Sequence, residues 1–149
     1  MPSSERERFF EAEEFVLVGN SGARKFPEMS ERLLRDTGRE VFSVDLGGDE
    51  SQGRLNGLDQ VPPANGGPER RGAIVEVGKE TTAEVVEELG SRGYREVWIH
   101  MGTESEEALS VAQKHGIRVY TGSCAVMYLA SSFSPHAIHR VIWKLIGRY

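Results

Sequence analysis

Five short runs rich in Val, Ile and aromatic residues punctuate the chain: Phe15 to Val18, Val41 to Asp45, Ala73 to Val77, Glu96 to Met101, and Ile117 to Thr121. They are mostly continuous rather than alternating, the pattern of strands covered by helices on both faces. Such strands are normally parallel, and parallel neighbours need long crossovers instead of hairpins. Helical segments supply most of them, at Pro27 to Thr37, Thr82 to Arg92 and Ser105 to His115, with a further helix at Pro135 to Ile146. Strand and helix alternate, so the expected class is α/β.

Local signals mark the boundaries. Gly38, Gly93 and Gly116 stand where helices stop, each just before the next strand, and Thr103 with Glu106 fits a capping box. Ser134 and Pro135 would open the last helix, whose apolar stripe is Ile138, Val141, Ile142, Leu145 and Ile146. Near the N-terminus, Ser4 and Glu7 form a capping pair, with Phe9 and Phe10 as apolar contacts. Residues 1–13 therefore read as a helix that covers the sheet.

The alternation fails across residues 47–72, which are rich in Gly and Pro and have no helical period. This segment is long enough to carry the chain across the first strand. It predicts a reversal of strand order, with Ala73 to Val77 beside Phe15 to Val18, and a short edge strand near Leu55 to Leu58. The crevice above the carboxyl ends of those two central strands is where open α/β sheets bind ligands.

A length of 149 residues suits one domain spanning 1–149, and 38% hydrophobic with 28% charged residues suits a packed one. The net charge of -5 argues against a general nucleic-acid binder, so any bound anion must be gripped locally. No apolar run approaches the roughly 20 residues that span a bilayer, and the start MPSSERERFF is too charged for a signal peptide. A cytoplasmic location is expected. The single cysteine, Cys124, agrees with a reducing compartment and leaves only an intermolecular disulfide open.

All candidate ligand loops follow strands of one direction and so share one edge of the sheet. In GNSGARK, Gly19 and Gly22 allow tight turns, Ser21 offers a hydroxyl, and Arg24 and Lys25 bring positive charge. Main-chain amides at such a bend can cradle a pyrophosphate, but the spacing lacks the Gly-x-Gly-x-x-Gly fingerprint, and a plain βα turn explains it equally well. Asp45 stands where dinucleotide enzymes hold a ribose hydroxyl, the best argument for NAD; turn chemistry before Gly-Gly is the favoured account. Lys79 follows the third strand and suits a phosphate as a point charge.

His100 lacks an evident partner for base catalysis and reads as a hydrogen-bonded strand histidine. His115, His136 and His139 show no metal-ligand spacing. Cys124, in GSCAV, is either a small buried apolar residue or a thiolate activated by a helix N-terminus. No triad or carboxylate pair stands out, so no enzyme activity is expected.

The ordered pieces VLVGNSGARKFPE, EVFSVDL and AIVEVGKETTAEVVEELGSRGYREVWIHMGTESEEALSVAQKHGIRVYTGSC resemble the stand-alone bacterial CoA-binding domain proteins, related to the N-terminal domain of the succinyl-CoA synthetase α-subunit. The likeness covers roughly Phe15 to Cys124. It implies a Rossmann-like three-layer α/β/α fold with a mostly parallel sheet of five to six strands, and coenzyme A or an acyl-CoA as ligand. The diphosphate would lie near Ser21, Gly22, Ala23 and Arg24, and adenine toward Asp45 and Leu46. Val77, Gly78 and Lys79 would border the pantetheine, with His100, Met101 and Gly102 further along. The family's cysteine at the position of Cys124 stands close to the ligand, which implies a mixed disulfide with the CoA thiol.

The family usually has Asn-Pro in place of Asp45-Leu46 and often Gln in place of His100, departures that leave NAD(H) as the alternative ligand of a redox-sensing or dehydrogenase-like module. On these grounds Asp45→Ala is expected to weaken NAD strongly and CoA little. A third reading is a regulatory subunit that docks through the C-terminal helix. That helix and the N-terminal segment are the elements expected to set oligomeric state, a homodimer among the options.

Overall fold

The computed structural model describes residues 5–48, 53–64, 67 and 70–121. Its elements are α1 (Glu5–Phe9), β1 (Glu14–Gly19), α2 (Glu28–Asp36), β2 (Glu40–Asp45), β3 (Arg71–Glu76), α3 (Lys79–Ser91), β4 (Glu96–Ile99), α4 (Glu106–Lys114) and β5 (Arg118–Tyr120). All five strands are parallel, in the order β2-β1-β3-β4-β5. The reversal expected from residues 47–72 is present: β1 lies between β2 and β3, with Gly19 level with Asp45 on one side and Glu76 on the other.

Side chains alternate across the sheet even though the runs are uniformly apolar. Val16, Val18, Val44, Ala73, Val75, Val97 and Ile99 face one core, closed by Val86 and Leu89 of α3 and Ala108 and Ala112 of α4. Phe15, Leu17, Ile74, Trp98 and Tyr120 face the other, closed by Leu33 and Leu34 of α2 and by Phe9 and Phe10. The result is the three-layer α/β/α fold.

The three helix-to-strand turns share one geometry. Gly38, Gly93 and Gly116 have φ of +81°, +91° and +69°. The next amide in each, from Arg39, Tyr94 and Ile117, donates to the carbonyl of Leu34, Leu89 and Ala112 respectively. This is the Schellman closure, which favours glycine at the left-handed position.

Some boundaries differ from expectation. α3 begins a turn early, at Lys79, because Gly78 is extended and serves as N-cap. The cap of α4 is Ser105, whose Oγ accepts from the Ala108 amide at 3.0 Å, and not Thr103. Thr103 is buried; its hydroxyl donates to the His100 carbonyl and its own carbonyl accepts from the Thr82 hydroxyl at 2.7 Å. The edge strand near Leu55 is a single parallel bridge to Val44, followed by a 3-10 turn at Leu58–Gln60. Ser4, Cys124 and the final helix at 134–147 lie outside the described residues.

Although α1 is short, Phe9 and Phe10 are 2% and 1% exposed, and the Phe10 ring sits 5.0 Å from that of Trp98. Phe10→Ala is expected to lower the unfolding free energy by about 3 kcal/mol, measured by urea denaturation. An effect confined to tenths of a kcal/mol would show that the N-terminal segment does not seal this face.

Candidate functional site

The carboxyl ends of β1, β2, β3 and β4 bring GNSGARK, Leu46–Gly48, GKET and the Met101–Gly102 turn to one edge. Gly19 is required there by packing: a Cβ on it would lie 2.7 Å from the Phe26 ring and 2.8 Å from the Pro27 ring. Phe26 and Pro27 thus fold back over the strand end and start α2. Beyond Gly19 the chain makes a compact bend, in which the Ala23 and Arg24 amides donate to the Asn20 carbonyl and the Gly22 amide to Asn20 Oδ1.

Asp45 joins this bend to the loop after β2. Its Oδ1 accepts from the amides of Ser21 and Gly47, both at 2.8 Å, and the residue is 1% exposed. Gly47 approaches so closely that a Cβ would lie 2.5 Å from Ser21 Oγ and 2.7 Å from the Gly22 nitrogen. Burial alone would raise the Asp45 pKa; hydrogen bonds from Ser21 and Gly47 and the charge of Arg54 outweigh it and hold the carboxyl below its ordinary value. The favoured reading of Asp45 as turn chemistry agrees with this placement.

Two expectations change as a result. The amides of residues 21–24 are engaged within the protein, so the charged side chains and the exposed Gly22 amide, held only by Asn20, are the groups an anion reaches most directly. Asp45→Ala also ceases to discriminate NAD from CoA, since it would remove the contacts that hold the bend to the loop after β2.

On the other side of Gly19 sits Glu76, a residue not singled out from the sequence. Arg24 Nη2 is 3.6 Å and His100 Nε2 3.7 Å from its Oε1. Burial raises the Glu76 pKa and Arg24 opposes that; burial and Arg24 together lower the pKa of His100, opposed by Glu104. The signal for Glu76 was present in AIVEV, where an acid interrupts a strand with both faces buried. Arg24, Lys25, Glu28, Arg32 and Glu76 line an adjoining groove of about 560 Å³, with Phe26 and Met29 as its apolar wall. A larger cleft of about 840 Å³ opens at the opposite edge, among strand-starting residues such as Glu14, Glu40 and Glu96, where no βα loops converge.

The remaining candidates are distributed around this edge. Val77, expected beside the pantetheine, is instead fully buried, backbone included, because its side chain belongs to the core under α3, and Leu46 packs against the same core. Gly78 caps α3, and Lys79 is exposed at its first position. Met101 is 50% exposed, and Gly102 turns with φ +85°, its amide donating to Glu104 Oε2 at 2.8 Å. Cys124 is outside the described residues. Among those residues no group of three potential ligands could hold a metal ion, and no helix is long and apolar enough to cross a membrane.

Comparison with known proteins adds the family. The model described as "CoA binding domain" matches residues 13–130, more than half of the chain. The chain belongs to the CoA-binding domain family. That match takes in the entire β1–β5 sheet and reaches past Cys124. No curated protein matches the sequence. A conserved hypothetical protein from Pyrococcus furiosus is 25% identical, with a TM-score of 0.58 over 74% of this chain and 94% of its own. A Thermus thermophilus protein is 19% identical, with a TM-score of 0.68 over 89% of this chain and 100% of its own. A redesigned protein, PH1109 redesigned for binding, gives 19% and 0.65 over 86% and 92%. These structures share the fold of this CoA-binding domain.

Replacing Asp45 tests the bend. Asp45→Ala is expected to cost roughly 1–3 kcal/mol at neutral pH by releasing the Ser21 and Gly47 amides from a buried carboxylate. Because the folded carboxyl titrates low, its stabilisation is complete above the ordinary carboxylate range and is lost as pH falls through the folded pKa. Urea titrations of wild type and variant should therefore differ by a constant amount around pH 7, and the gap should narrow only as pH falls below the ordinary carboxylate range.

Proposed function

We propose that the protein binds coenzyme A or an acyl-CoA without catalysing a reaction. The supporting observation is the family match across residues 13–130, combined with a βα-loop edge that gathers Arg24, Lys25 and the Gly22 amide beside β1. The diphosphate engages Arg24 and Lys25 and takes the Gly22 amide from Asn20. Adenosine lies toward Leu46 and the loop after β2. Pantetheine runs past Gly78, near Lys79, toward the exposed Met101.

The thiol end then approaches the carboxyl end of β5, and the resemblance to the family supports Cys124, a few residues later in the sequence, as its partner. A mixed disulfide forms there by exchange with CoA disulfide: the Cys124 thiolate attacks one sulfur, and the second CoA leaves as thiolate. The NAD(H) alternative loses its main motive, because the Asp45 carboxylate is committed to two amides of its own loops.

Isothermal titration with CoA is expected to give a saturable one-site curve and NAD none. Arg24→Gln and Lys25→Gln should each weaken CoA about tenfold, the scale of one charge-assisted contact to phosphate. Saturation by NAD with no response to CoA would overturn the assignment. Intact mass after incubation with CoA disulfide should show one CoA adduct, lost on reduction and absent from Cys124→Ser.

A further inference from the structure

We propose that Arg24 is shared between Glu76 and the ligand's diphosphate: an incoming diphosphate draws the guanidinium from Glu76 Oε1, and the Glu76–His100 pair it leaves takes up a proton. The inference rests on the CoA reading above and adds a charge-exchange step to it. Arg24 is the only cation within ion-pair distance of Glu76 besides the titratable His100 among the described residues. Its side chain is 37% exposed while that of Glu76 is 14% exposed, so the guanidinium can turn outward while the carboxylate stays in the fold. A partly exposed, single-contact ion pair at 3.6 Å is weak, whereas a diphosphate offers a guanidinium two oxygens in its own plane.

The surrounding charges fix the sign. Lys25 and Arg32 flank the groove beside Glu76, with Glu28 as the opposing acid from α2. From the β4 side, His100 faces Glu76 and Glu104 acts on His100, while Lys79 of α3 acts on Glu104. Asp45 is one strand further, with Oδ1 occupied by the Ser21 and Gly47 amides. Arg24 is thus the charge that offsets burial at Glu76 and also opposes protonation of His100. Neutralising it with an anion moves both equilibria toward the protonated form, so the ligand-bound site holds more protons. By linkage, the diphosphate contact tightens as pH falls through the range in which the pair titrates.

The test uses inorganic pyrophosphate and CoA in parallel on the full chain. Pyrophosphate is expected to raise the apparent His100 pKa, followed by imidazole NMR, by about 0.5 or more in wild type and by much less in Arg24→Gln. Glu76→Gln should tighten pyrophosphate about two- to fivefold in the wild-type background and leave Arg24→Gln unchanged. Equal tightening in both backgrounds would mean simple repulsion by Glu76 and overturn the exchange, as would an unmoved His100. If pyrophosphate behaves as described while CoA does not saturate, the cofactor assignment falls and the exchange stands. If CoA saturates without either signature, the exchange alone falls; if neither compound binds, both fall.

Discussion

Residues Glu14 to Gly19 pair with β2 along one edge and β3 along the other, and from Phe15 to Val18 their side chains are fully buried on both faces. A central strand of this kind has no route to water except at its ends. Every polar function must therefore collect at a strand terminus, and parallel pairing puts all the outgoing loops at the same one. The switch in strand order on either side of β1 then opens a gap, because α2 and α3 leave toward opposite faces.

Two carboxylates flank Gly19 across that gap and live in opposite electrostatic circumstances. Asp45 is offered hydrogen-bond donors and is held ionised. Glu76 is buried with only a partly exposed guanidinium to offset the cost, so its proton is held more tightly. One acid therefore builds the shape of the loop after β1, and the other pairs with that loop's Arg24. The compact bend at residues 20–24 draws its rigidity from the first of these and from Asn20, whose carbonyl and side-chain oxygen together accept three amides.

The irregular segment after β2 contributes more than a connection. Arg54 reaches from it to the buried Glu31, which also accepts from the Ser43 hydroxyl, and its guanidinium stacks 3.9 Å above the Phe26 ring. Phe26 in turn covers Gly19. The crossover is thereby tied to the helix that begins behind the loop after β1, which makes the position of α2 depend on residues far from it in sequence.

Much of this was legible from residue order alone. Continuous apolar runs required a parallel sheet, Gly38, Gly93 and Gly116 marked three helix ends, and the unhelical segment at 47–72 foretold the reversal, because each depends on local backbone preference or on burial summed over a short stretch. The cap of α4 was misplaced from Ser105 to Thr103 because both are good cap residues, and only the path of α3, with Thr82 against the Thr103 carbonyl, decides between them. The sequence by itself determined the layers, the strand direction and which edge carries the loops. Tertiary structure alone decided that Asp45 is spent on its own loops and that Arg24, Glu76 and His100 meet, since those contacts join groups from separate strands whose distances no local pattern encodes.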